Sequence, residues 1–174
     1  MSTRADVSKW QSEDGKYRVQ IAEAVIANMR ELAVKHAPNE VGTSLVGSYS
    51  DDGHTATIDG LAPLSSDSRG SRLTFVRGVQ NLAGFFSGIF RSSQGRRHYV
   101  GEWHSHPDGP VLPSDTDDQN QVDIANDRDT DCPEVILVIV GGSAEDFPNI
   151  GVFVYSRCKG RIALNRNIST HPTE

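Results

Sequence analysis

Gly101-Glu102-Trp103-His104-Ser105-His106-Pro107 closes an extended run that begins near His98 and leads, through a reversal, to Ser114-Asp115-Thr116-Asp117. Side chains at i and i+2 of a strand share a face, so His104 and His106 present two imidazoles together. Pro107–Pro113 holds three prolines and a glycine in seven residues and reads as a loop. Helix is expected from Ser114 through the Asp-rich run, ending before Pro133. Asp117 then falls in the first helical turn, where its carboxylate can join the two histidines. Two histidines, a carboxylate and a water describe a catalytic zinc site with an open fourth position. Plainer uses exist for each piece. A His-x-His pair can end a strand by coincidence, Ser114 is a serviceable N-cap, and Asp117 suits the positive end of a helix dipole. The acidic run Asp115–Asp131 reads by default as a solvated face.

Outward from this segment, the apolar run within Glu134–Gly141 reads as a buried strand, with Ile150–Arg157 a partner for it and Gly160–Leu164 a last strand. Upstream, Val79–Phe90 has helical spacing weakened by Gly84 and Gly88, Leu73–Val76 is a short strand, and Ser-rich Ala62–Gly70 is a loop. Val41–Ser50 and Thr55–Leu61 flank Asp51-Asp52-Gly53-His54 and read as a β-hairpin. Apolar positions recurring at three and four from Val19 to Ala33 predict one amphipathic helix over Lys16–His36, closed by Pro38. These elements make a mixed α/β domain of the α+β type, a mixed β-sheet flanked by helices. Its expected bounds are residues 16–168, between a flexible N-terminus (1–15) and a flexible tail (169–174).

The chain has 174 residues, 36% of them hydrophobic, enough for one domain with a real core. Its formal net charge of −6 argues against a general nucleic-acid binder. No apolar run approaches the roughly 20 residues of a membrane span, and Met1–Lys16 lacks the apolar region of a secretory signal. Cys132 and Cys158 form no CxxC pair and read as reduced thiols. A cytoplasmic location is expected, with no membrane or nucleic-acid partner.

His104-Ser105-His106, seven residues, Ser114, two residues and Asp117 resemble the signature of the JAMM (JAB, or MPN-plus) zinc metallopeptidases. That family carries an upstream glutamate in a pattern like Glu-x-Gly-Gly-x-Leu-x-Gly. Its counterpart here is Glu40-Val41-Gly42-Thr43-Ser44-Leu45-Val46-Gly47, with Thr43 replacing the second glycine. Tyr99–Pro107 and Phe75-Val76-Arg77 are further similar to a bacterial subgroup that includes the deconjugating peptidases of CBASS antiphage operons. The resemblance implies Zn2+ on His104, His106 and Asp117, lowering the pKa of a bound water. Glu40 is implied as the base that moves a proton from that water to the leaving amine. Ser114 is implied as the oxyanion donor, a contribution typically worth about 3 kcal/mol.

Glu102 shares the His104 face by strand parity, either as a competing base or, in the favoured reading, as a structural carboxylate or one that orients a ligand. His98 reads as a surface histidine and Trp103, on the opposite face, as core; His36, His54 and His171 have no motif around them. Phe85, Phe86, Ile89 and Phe90 read as core rather than docking residues. The subgroup implies a protein substrate bearing a ubiquitin-like or nucleotidyltransferase-type C-terminal tail, which could add as a strand beside the site. The stretch Leu61–His98 is a candidate wall of that groove. An activating/conjugating enzyme from the same operon is the implied partner. Two alternatives stand beside this reading: a catalytically silent scaffold of the same fold, and a JAMM hydrolase acting on a sulfur-carrier adduct.

Overall fold

A computed structural model describes residues 6–132, 134–142, 147–157 and 159–167. The chain runs β1 (Val7–Ser12), β2 (Arg18–Ala22), α1 (Glu23–His36), β3 (Gly42–Tyr49), β4 (Thr55–Leu61), β5 (Arg69–Gly70), β6 (Phe75–Val76), α2 (Leu82–Ser92), β7 (His98–Pro107), α3 (Asp115–Asn126), β8 (Glu134–Gly142), β9 (Asn149–Ser156) and β10 (Gly160–Arg166). Eight strands close into a barrel in the order β1-β10-β9-β8-β7-β3-β4-β2, and β5 and β6 form a separate two-stranded sheet. The sheet is mixed as expected: β2 runs parallel to β4 and β7 parallel to β8, and the other pairs are antiparallel.

Closure into a barrel goes beyond the mixed sheet expected from sequence, and its cause is β1. This strand pairs β2 on one side and β10 on the other, with Trp10 opposite both Val19 and Arg166. Residues 7–12 therefore belong to the fold and not to a flexible N-terminus. Its inward positions are Ser8, Trp10 and Ser12, all buried, and two serines in three hide the hydrophobic alternation. Val19 and Ile21 of β2 are also buried. Their period of two overlaps the helical period that follows, so the helix starts at Glu23 instead of Lys16. Residues 1–5 and 168–174, which include His171 and the expected tail, lie outside the described residues, as does Cys158.

The β3–β4 hairpin and strands β8–β10 stand close to their expected positions. Two connections differ. Arg69–Gly70, read as loop, pairs Phe75–Val76 as a hairpin. The acidic helix stops at Asn126, where the Asp127 carboxylate accepts from the Asp129 amide and the Thr130 hydroxyl, competing with the next helical turn.

Strand β8 explains its own apolar run. Ile136, Val138 and Val140 pack with α1 in one core, whereas Val135, Leu137 and Ile139 pack with Ala125 of α3 in the other. A strand covered on both faces needs apolar residues at every position, and each full burial stabilises by about 1.5–3 kcal/mol. Trp103 is fully buried in the α1 core as expected. By contrast, Leu82 is the one buried residue of α2; Phe85, Phe86 and Ile89 are half-buried and Phe90 is 52% exposed. Among the described residues no helix is long and apolar enough to cross a membrane.

Candidate metal and catalytic site

His104 and His106 close β7 at the edge of the α3 side, where His104 lies opposite Gly42 of β3 and Ile139 of β8. Gly42 has to be small, because a Cβ there would collide with the Trp103 carbonyl and crowd the His104 side chain. Ser105, between the histidines, is fully buried. Its amide donates to the Val41 carbonyl (2.8 Å) and its hydroxyl accepts from the Val41 amide (3.0 Å). This double link holds the residue after Glu40 against the histidine pair.

The three sequence-selected donors converge. His104 Nε2 is 3.0 Å from His106 Nε2 and 3.2 Å from Asp117 Oδ1, and His106 Nε2 is 3.5 Å from Asp117 Oδ2. A tetrahedral zinc with bonds of about 2.0–2.1 Å separates its ligands by about 3.3 Å, so the donor set has the spacing and chemistry of such a site. The His106 ring orientation is fixed by Nδ1, which lies 3.2 Å from the Pro110 carbonyl. That carbonyl can only accept, so Nδ1 carries the proton and Nε2 keeps a lone pair for a cation. Phe75 of β6 stacks over His104 at 6.1 Å between ring centroids.

Asp117 is positioned by a capping box. The Ser114 amide (2.8 Å) and hydroxyl (2.7 Å) donate to Asp117 Oδ2, and the Asp117 amide returns a bond to Ser114 Oγ (3.2 Å). Oδ1 is left facing His104. Burial works to raise the Asp117 pKa, but the adjoining His104 and His106 imidazoles and the Ser114 hydroxyl hold it far below the usual carboxylate range. The Ser114 hydroxyl proton points at Asp117, so donation to a substrate oxygen requires it to turn away.

Glu40 is 9% exposed and sits two residues before β3. Burial raises its pKa, against the lowering influence of His106 and His104 and with a small rise from Asp117. Its carboxyl thus senses all three donors. The β5–β6 hairpin lies on its backbone: the Glu40 amide donates to the Ser71 carbonyl (2.8 Å), and a Cβ on Gly70 would collide with the Glu40 carbonyl.

Residues 22–152 match the family of prokaryotic homologs of the JAB domain. The chain belongs to this prokaryotic JAB family. A CD-NTase/cGAS isopeptidase of Enterobacter hormaechei subsp. hoffmannii (strain UCI 50) is 36% identical over 153 residues, covering 88% of this chain and 83% of that protein. A solution structure of a protein from Desulfitobacterium hafniense matches with a TM-score of 0.56 at 19% identity, over 84% of this chain and 88% of that one. The structural match shows a shared fold alone.

Two other positions in this JAB domain have partners away from the three donors. Glu102 makes no hydrogen bond to the three donors among the described residues. It is paired with Arg77 Nε (2.5 Å) and accepts from Tyr99 (3.2 Å) and Gln121 (3.4 Å). His98 is half-buried and stacked on Tyr49, 5.8 Å between centroids, so it is no free surface histidine. Thr43, where the family pattern has glycine, is buried and donates to the Pro63 carbonyl at 3.0 Å. Sequence reasoning gave no role to Ser105, the Pro110 carbonyl or Phe75. Ser105 had a usable signal, since strand parity turns the middle residue of His-x-His toward the opposite face.

Proposed function

We propose that this JAB protein is a zinc-dependent isopeptidase. It would cleave the bond between a ubiquitin-like or nucleotidyltransferase-type C-terminal tail and its conjugated target, in bacterial antiphage defence. The carrying observation is the convergence of His104, His106 and Asp117 beside a buried Glu40. Similarity to the Enterobacter isopeptidase supports the substrate class and the setting.

His104 Nε2, His106 Nε2 and Asp117 Oδ1 would hold the ion. When bound, zinc supplies Lewis acidity that brings a water toward neutral pKa and polarises a carbonyl. The Glu40 carboxylate takes a proton from the attacking water and delivers it to the leaving amine nitrogen, a task suited to a carboxyl whose pKa burial has raised. The Ser114 hydroxyl, turned from Asp117, donates to the developing oxyanion. Glu102 is engaged by Arg77, Tyr99 and Gln121, which favours a positioning role over that of base.

The deciding experiment is elemental analysis of wild type, His106→Ala and Glu40→Gln, with hydrolysis of a conjugated protein measured alongside. About one zinc per chain is expected in wild type and Glu40→Gln, little in His106→Ala, and hydrolysis in wild type alone. Wild type that refuses added zinc would overturn the reading and favour the silent scaffold. If Glu40→Gln cleaves normally and Glu102→Gln does not, the base has been misassigned.

A further inference from the structure

Between Asp67 and Glu102 the chain carries six arginines and no acidic residue, so all 23 acids and the other 11 basic residues lie elsewhere. Arg97 is committed to Asp59 and Arg77 to Glu102. Arg69, Arg72, Arg91 and Arg96 are exposed, and none has an ion-pair partner among the described residues.

The same region holds most of the exposed apolar surface. Seven large hydrophobic side chains are exposed among the described residues. Six of them, Leu64, Leu73, Val76, Val79, Phe90 and Leu112, lie either in the insert Leu61–His98 or in the loop that packs Gly109 against His106. Leu73 is 87% exposed. Single exposed apolar residues need no explanation, but a concentration of them beside a site marks an interaction surface. The β5–β6 hairpin carries both features, with Arg69, Arg72, Leu73 and Val76, and it also touches Glu40 through Ser71 and His104 through Phe75.

One occupant relieves both the unpaired positive charge and the solvated apolar side chains: a chain of opposite charge with apolar residues among its acids. Arginine, unlike lysine, pairs carboxylates through two parallel hydrogen bonds, and every basic residue of the insert is arginine. We propose that the β5–β6 hairpin and the adjoining insert dock an acidic, apolar segment of the protein substrate next to the scissile bond. This deepens the isopeptidase reading and rests on it.

The test is fluorescence anisotropy of two labelled peptides, one alternating Asp with Leu and one alternating Lys with Leu, against the full chain. The acidic peptide should bind wild type, and the basic one should not bind. The double change Arg69→Glu/Arg72→Glu should weaken the acidic peptide by about tenfold or more, Arg69→Gln/Arg72→Gln by less, and added salt should weaken it as well. Zinc titration of the same variants should be unchanged, which shows that the site remains folded. Equal binding of the two peptides, no binding of either, or no effect of the arginine changes overturns the proposal. So does sedimentation showing a self-association that the arginine changes abolish, since a second copy's acidic α3 would then occupy the surface. A wild type that binds the acidic peptide selectively yet takes up no zinc would instead overturn the isopeptidase reading.

Discussion

Ser105 stands between the two convergent histidines yet turns away from them, and its hydroxyl is the one partner of the Val41 amide among the described residues. Ser105→Ala would leave that buried amide unsatisfied, at a cost of about 1–3 kcal/mol. Thermal unfolding should show the loss, and zinc affinity should fall with it, because the link sets β3 and Glu40 against β7. Unchanged Tm and affinity would show that the link is dispensable. Cys132 gives a second prediction at this scale. Burial pushes its thiol up to about 11, so a thiol reagent at pH 8 should label Cys132 only under denaturing conditions; rapid labelling of the native protein would contradict the buried placement. His104, His106 and Asp117 are legible in sequence because metal geometry dictates both residue type and local spacing. Strand parity gives the face of Ser105 but not its partner, and Arg77 is not legible either, since each works through a residue brought near only by folding.

At the scale of elements, the insert is organised by one carboxylate. Asp67 accepts from the Ser65 hydroxyl and from the Val79 and Gln80 amides (both 3.1 Å), tying the start of the insert to the approach of α2. The Ser65 hydrogen bond, then that from Val79, draws its pKa down to about 2 from an ordinary 3.8. A folded pKa below the unfolded one means a contribution complete above the unfolded value and lost as pH falls through about 2. Carbon-detected NMR should find Asp67 titrating near that lower value, and titration at 3.8 would show the cluster does not form. The Arg77–Glu102 pair latches the insert to β7, at 26% and 13% side-chain exposure. A double-mutant cycle on Arg77→Gln and Glu102→Gln should give a coupling of about 1–3 kcal/mol; a coupling near zero would mean no latch. Helix α3 was readable at its start, where Ser114 and Asp117 make a capping box, but not at its end. Nothing in the acidic run distinguishes helical aspartates from Asp127, which takes the following backbone instead.

Across the whole molecule, β8 is the shared wall of two cores, and its two-sided burial made it the plainest strand in the sequence. Leu137→Ala and Val138→Ala strike opposite cores, and a large truncation in either should cost about 2–5 kcal/mol; denaturant titration should find the two effects nearly additive. Closure was illegible for a different reason. It depends on pairing Trp10 with Arg166, and no local pattern in a six-residue, serine-bearing strand announces a partner that far along the chain. Removing residues 1–12 should open the barrel between β2 and β10 and expose two strand edges. Light scattering should then report aggregation, where a clear monomer would mean that the seam contributes little.

That seam also sets an order of events during synthesis. All three candidate metal donors, His104, His106 and Asp117, precede β10 in the chain, so the segments that carry them leave the ribosome while β1 still lacks one of its two neighbours. The nascent chain is an open sheet whose first strand waits for its last. Pairings of such long sequence separation form slowly, and until this one forms the edge of β1 is free to capture a strand from another chain.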